Sequence, residues 1–139
     1  RYGDLMRGVM EGLAFAARDC YAAIGALPRD VRITGGAAKS RALGAILGAA
    51  LDCEVRICSR AEAGAAGAAM IAAVAIDAHP DMRACAEQWV TPHLSAPQSP
   101  DATLAKRYAS IFPTYLDARL ASRPVWKQLA ALRAGDDHV

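Results

Sequence analysis

Apolar residues return at Leu5, Val9, Leu13, Ala16/Ala17, Cys20 and Ile24. That spacing predicts a helix over residues 4–24 with one buried face. Gly25 ends the pattern, and Pro28 prevents its resumption. A short apolar run at 31–34 reads as a strand. Leu43, Ile46, Leu47 and Ala50 then form the stripe of a second helix over 40–51. Residues 53–58 alternate apolar and charged side chains, the mark of a second strand. A strand, a crossover helix and another strand predict a βαβ unit with parallel strands and a right-handed connection.

A third helix is expected over 62–76, with Glu62 in its first turn to complement the helix dipole. Its face is almost entirely Gly and Ala, which suits a helix lying flat against a neighbour or a planar ligand. Beyond Asp77 the texture changes. A short helix is predicted at 81–89, a Pro/Ser-rich connection at 91–100, and a longer helix at 102–122 that Pro113 should kink or split. A last helix at 124–133 and a frayed tail at 135–139 complete the chain. Tyr108, Phe112, Tyr115 and Trp126 fall near helical spacing and are expected to dock these C-terminal helices on the body.

Composition narrows the class. The chain has 139 residues, room for one domain with a modest core. Hydrophobic residues are 54% but aromatics 6%, so close backbone approach must replace large side chains in that core. The formal net charge of +2 gives no reason to expect nucleic acid or an anionic membrane as partner. The longest strongly apolar run, residues 64–76, is too short to span a bilayer. Cys20, Cys53, Cys58 and Cys85 make no Cys-x-x-Cys pair and have no His at ligand spacing, so buried or idle thiols in a reducing cytosol are expected, and neither a metal site nor a disulfide framework. Arg1 leads straight into a helical pattern with no initiator Met, which reads as a piece of a longer protein.

Candidate chemistry centres on Ile33-Thr34-Gly35-Gly36-Ala37-Ala38-Lys39-Ser40, where a strand breaks at a Gly pair and opens a helix. Glycines let the backbone turn sharply and let a ligand approach it, and amides at the start of a helix favour an anion. The same residues could equally serve the turn alone. The loop matches neither a P-loop, which needs Gly-Lys-Ser/Thr after a second Gly, nor the Gly-x-Gly-x-x-Gly dinucleotide fingerprint. Glu11, among apolar neighbours beside Gly8 and Gly12, is either a functional carboxylate or a solvated or capping one. The two glycines point to another backbone packed closely there.

Three blocks together resemble the C-terminal domain of the FGGY carbohydrate kinases. They are Arg7-Gly8-Val9-Met10-Glu11-Gly12-Leu13-Ala14-Phe15, the Gly35-Gly36 junction, and Glu62-Ala63-Gly64-Ala65-Ala66-Gly67-Ala68-Ala69. They occur in the family's order over residues 1–77. The resemblance implies an α/β fold, a partial actin-like ATPase (ribonuclease H-like) domain with a helix-strand-helix-strand-helix core plus C-terminal helices. Residues 1–77 would be the nucleotide-side half, and 78–139 a helical extension packed on it. A three-strand meander and a whole first domain would lie outside this chain.

By motif match, Gly35, Gly36 and Ala37 would receive the adenosine and α-phosphate side of ATP, with Ser40 a polar residue nearby. The implied activity is ATP- and Mg²⁺-dependent phosphorylation of a sugar or polyol, in a cytoplasmic enzyme. The implied catalytic aspartate, phosphate loop and most sugar contacts belong to the first domain, so no catalytic residue is assigned here and the chain alone should be inactive. The alternative is a non-catalytic regulator or interaction domain on the same fold. Asp52 and Asp77 stand where the family often ends a helix with Gly. An unpaired strand edge and an uncovered apolar face are expected, so the isolated chain could form a homodimer.

Overall fold

A computed structural model describes residues 1–136, and side chains up to residue 133. The expected order of elements is present: α1 (Tyr2–Ile24), β1 (Asp30–Ile33), α2 (Arg41–Leu51), β2 (Glu54–Ile57) and α3 (Ala63–Ala75). The chain continues through α4 (Met82–Trp89), α5 (Ala102–Ala121) and α6 (Arg123–Asp136). Of the expected tail, residues 135–136 belong to α6 and 137–139 lie outside the described residues.

β1 and β2 pair in parallel, with Val31 opposite Val55 and Ile33 opposite Ile57. Alternation sends these four towards α2 and sends Arg32 and Arg56 to the other face. Helix α2 is fixed at both ends. Its N-cap is Ser40, whose Oγ accepts from the Leu43 amide at 3.2 Å. At its C-terminus Asp52 takes the left-handed conformation (φ 51°), as does Asp77 after α3 (φ 57°). The departures from glycine are thus accommodated with the same backbone geometry, which Asp tolerates better than most residues.

The main core joins α1, α2 and α5 through Ala14, Phe15, Ile46, Ala49, Ala50, Ala105 and Tyr108. Phe15 is its hub, meeting Tyr108 edge-on at 5.3 Å and Tyr115 at 5.5 Å between ring centroids. Arg18 lies over the Phe112 ring at 4.5 Å and donates to the Ala50 carbonyl near the end of α2.

Several expectations are corrected. The predicted buried stripe of α1 is exposed: Leu5 is 67% and Leu13 59% accessible, while the helix buries Ala14 and Phe15 instead. Among the described residues no neighbour approaches Gly8 or Gly12 within 4 Å of where a Cβ would stand. Pro113 does not split α5, because docking on both sides of it holds the helix: Tyr108 before it, Tyr115 and the Arg119–Asp19 ion pair (2.9 Å) after it. Trp126 is 63% exposed and does not serve as an anchor among the described residues.

The 91–100 connection is more ordered than a linker. Val55 and Gln98 exchange both backbone hydrogen bonds, and the Ser95 amide donates to Ile57 O at 2.8 Å. This segment covers the outer edge of β2, leaving β1 as the unpaired edge of the two-stranded sheet among the described residues.

Candidate functional site

Because β1 and β2 are parallel, the chain leaves both strands at the same end, where ligand crevices of open α/β sheets form. Ile33 passes through Thr34 into a 3₁₀ turn, Gly35–Lys39, and Ile57 passes through Cys58 into residues 59–62. A cleft of about 400 Å³ lies between the two exits. Gly35, Gly36 and Lys39 form one wall; Ser59, Arg60 and Glu62 belong to the other.

The two glycines differ in what they do. Gly35 has φ 69°, a conformation that a side chain would strain. Gly36 does not have a positive φ, and a Cβ placed on it meets nothing within 4 Å among the described residues. Gly35 therefore serves the turn, whereas Gly36 presents bare backbone to open space. Ala37 and Ser40 lie on the same turn but do not line the cleft. Ser40 closes the turn through its amide, which donates to Ala37 O at 3.1 Å, and spends its hydroxyl oxygen on the α2 cap.

The opposite wall is tied down by backbone pairing. The Cys58 amide donates to Ile33 O at 2.8 Å, and the Ser59 amide and hydroxyl both donate to His93 O, at 2.9 and 3.2 Å. Arg60 Nη2 donates to the Trp89 carbonyl at 2.6 Å. Its Nε is buried without a hydrogen-bond partner among the described residues. Sequence reasoning missed Arg60. Its signal was its place, directly after a strand and facing the Gly-Gly turn.

Two cations, Lys39 and Arg60, against one carboxylate, Glu62, make the lining suited to an anionic ligand. Such a lining fits the phosphates of a nucleotide. A dedicated divalent-cation site is not built here: no group of three His, Cys, Asp or Glu is close enough to hold a metal among the described residues. Cys53 is not an activated nucleophile. Burial, reinforced by Asp30 and Asp52, pushes Cys53 up to about 11.

Glu11 lies elsewhere, in the α1–α5 interface. It accepts from Tyr108 Oη at 2.7 Å and Arg7 Nε at 2.8 Å. Burial acts to raise its pKa, but these bonds and the positive charge of Arg7 outweigh it and hold the carboxyl below its ordinary value. Burial and the bond to Glu11 raise the Tyr108 phenol. Glu11 is therefore a joint between helices.

The Gly-turn cleft sits within a recognised unit. Residues 2–76 match the C-terminal domain of the FGGY family of carbohydrate kinases. The chain belongs to that family. It is 54% identical over 131 residues to an erythritol kinase of Brucella abortus (strain 2308), a match covering 94% of this chain and 25% of that protein. The xylulose kinase of Lactobacillus acidophilus superimposes with a TM-score of 0.78 at 20% identity, over 93% of this chain and 26% of that one. The gluconate kinase of the same organism gives 0.74 at 21% identity, over 88% of this chain and 25% of that one.

The chain thus spans about a quarter of the length of these relatives. Its fold is part of the actin-like ATPase fold of these sugar kinases, as the three sequence blocks implied. Among the described residues no helix is long and apolar enough to cross a membrane.

Proposed function

We propose that this chain forms the nucleotide side of an ATP-dependent kinase acting on a sugar or polyol hydroxyl in the cytoplasm. Residues 1–77 would be the nucleotide-side half of the C-terminal domain, and 78–139 the helical extension. The observation that carries the reading is the cleft at the shared exit of β1 and β2, bare at Gly36 and lined by Lys39 and Arg60. In this reading adenosine and the α-phosphate lie against Gly35 and Gly36, while Ala37, on the same turn but outside the cleft lining, contributes only to the turn. Ser40 acts indirectly, by fixing the turn on the start of α2. Mg²⁺ would travel on the phosphates and neutralise their charge during in-line transfer to the acceptor hydroxyl.

The acceptor would be erythritol or a related polyol, a choice supported by the 54% identical relative. The base and most acceptor contacts are assigned to an N-terminal domain of the same polypeptide, which is the principal partner proposed. The three-strand meander, also assigned to the rest of the polypeptide, would cover the free β1 edge and the bare stripe of α1. Homodimerisation is the proposed fate of those surfaces when the chain is alone.

The test uses Gly36→Val in the full-length protein. Among the described residues nothing lies within 4 Å of a Cβ added at Gly36, and φ there is not positive, so folding should be preserved. The KM for ATP should rise at least tenfold, about 1.4 kcal/mol, with little change in the KM for the polyol. Ser40→Ala should weaken the α2 cap by about 1 kcal/mol of stability and move ATP affinity less. A well-folded Gly36→Val enzyme with normal ATP affinity would remove the nucleotide from this cleft.

A further inference from the structure

Arg60 lines the Gly-turn cleft and reaches α4 through its side chain. It borders a second, more apolar and open pocket of about 210 Å³, lined in part by Cys58 and by Ala63, Ala66 and Met70 of α3. Arg60 therefore borders both spaces. One donor, Nη2, is committed to Trp89 O at 2.6 Å, at the C-terminal end of α4 where the helix dipole favours a cation. Another donor, Nε, is out of solvent with no acceptor among the described residues. A buried N–H without an acceptor has lost its hydration and gained nothing for it. A small shift of the 59–62 wall that brings Nε to an oxygen would recover that loss. The cleft is where a ligand could produce such a shift. Lysine could satisfy one of these directions; the planar arginine fork is suited to both.

We propose that Arg60 is a positioning residue of the nucleotide cleft, holding the 59–62 wall against the end of α4 so that α4 and the bound nucleotide are coupled. This inference rests on the nucleotide reading of the cleft. No other side chain found in the cleft lining reaches α4 by a hydrogen bond among the described residues. The Ser59 bonds to His93 fix the same wall at a neighbouring point, so loss of Arg60 should loosen the wall without releasing it.

The experiment compares Arg60→Met, Arg60→Lys and Gly36→Val with the wild-type full-length protein, measuring ATP KM, polyol KM, kcat and Tm. Arg60→Met should raise the ATP KM about tenfold while kcat and polyol KM stay within about twofold. Arg60→Lys, which can still donate to the Trp89 carbonyl, should recover part of the loss. Parallel changes in kcat and both KM values, with a lowered Tm, would mean a merely structural side chain and would overturn the proposal. Full recovery with lysine would also overturn it, since the fork would then be unnecessary. Gly36→Val separates the two layers. If it shifts ATP KM and Arg60→Met does not, Arg60 is excluded and the nucleotide reading stands. If Gly36→Val leaves ATP KM unchanged, the nucleotide reading fails first.

Discussion

Helices α2 and α3 each follow a strand of the same two-stranded sheet, and both are written largely in alanine and glycine. Yet α2 buries six of its eleven residues and α3 only Met70 of its thirteen. The difference lies in what stands opposite. α2 is clasped between the sheet, α1 and α5, and Gly48 is there because the sheet is close. A Cβ on Gly48 would stand 3.1 Å from Val55 Cγ2 and 3.3 Å from the Cys53 carbonyl oxygen. On α3, a Cβ at Gly64 or Gly67 meets nothing within 4 Å among the described residues, and part of its small-residue stripe borders a cavity. Small residues in a helix mark a place where close approach is possible. They do not say that the neighbour is in the same stretch of chain.

Helix α1 contains both situations in one element, and it offers the sharpest test. Phe15 is buried at the junction of three helices, whereas Leu5 belongs to a stripe with no cover among the described residues. Phe15→Ala should destabilise the 139-residue chain by about 3–5 kcal/mol, or prevent its folding. Leu5→Ala should stay within about 0.5 kcal/mol, as for an exposed site. Denaturant unfolding of both variants checks the pair. Equal losses would mean that the α1 stripe is covered, and would break the contrast. Repeating Leu5→Ala in the full-length protein sharpens it, since a large loss there would locate a partner for the stripe.

The next test sets the two glycine-rich helices against each other. Gly48→Val adds bulk against a strand and a carbonyl that have little room to retreat, and should cost about 1–3 kcal/mol. Gly67→Ala enters open space and should stabilise the isolated chain by up to about 1 kcal/mol through helix propensity. The signs are opposite for glycines in similar sequence surroundings, so thermal unfolding decides the matter. Destabilisation by Gly67→Ala in this chain would show that α3 is packed more tightly than its surroundings indicate.

What could be read in advance follows the range of the interaction. Gly25, Pro28 and the apolar stripe of residues 43–50 act locally, and they place α1, β1 and α2 to within a few residues. The Gly-Gly junction also showed itself, because a strand broken by two glycines before a helix has few local alternatives. The division of labour between Gly35 and Gly36 did not, since it depends on one backbone angle. Pro113 misled for the opposite reason: its local preference is real, but Tyr108, Tyr115 and Arg119 hold the helix on either side. Trp126 and the α1 stripe misled because hydrophobicity states a preference for cover and does not supply it. Gln98, between two prolines at 97 and 100, gave no strand signal for its pairing with Val55, and Arg60 no motif.

The smallest expected effect concerns Glu11, which joins the part of α1 near the exposed stripe to α5. Its carboxyl is held below the ordinary value near 4.5, against the opposing effect of burial, by bonds from Arg7 and Tyr108. A carboxylate depressed in the folded state contributes stability above its unfolded value and loses it as pH falls through the folded one. Acidification below about pH 4.5 should therefore weaken the α1–α5 joint, and Glu11→Gln should flatten that part of the stability profile. Glu11 is partly exposed, which reduces the size of the effect through solvent screening. Tyr108→Phe leaves the ring against Phe15 and removes one donor, so it should cost about 1 kcal/mol at neutral pH. The two changes meet on one bond. In the Tyr108→Phe background, Glu11→Gln should consequently cost less than it does alone, a coupling that a double-mutant cycle measures directly. Full additivity would mean that the 2.7 Å contact does not hold α1 to α5, and that the aromatic cluster around Phe15 carries the joint by itself.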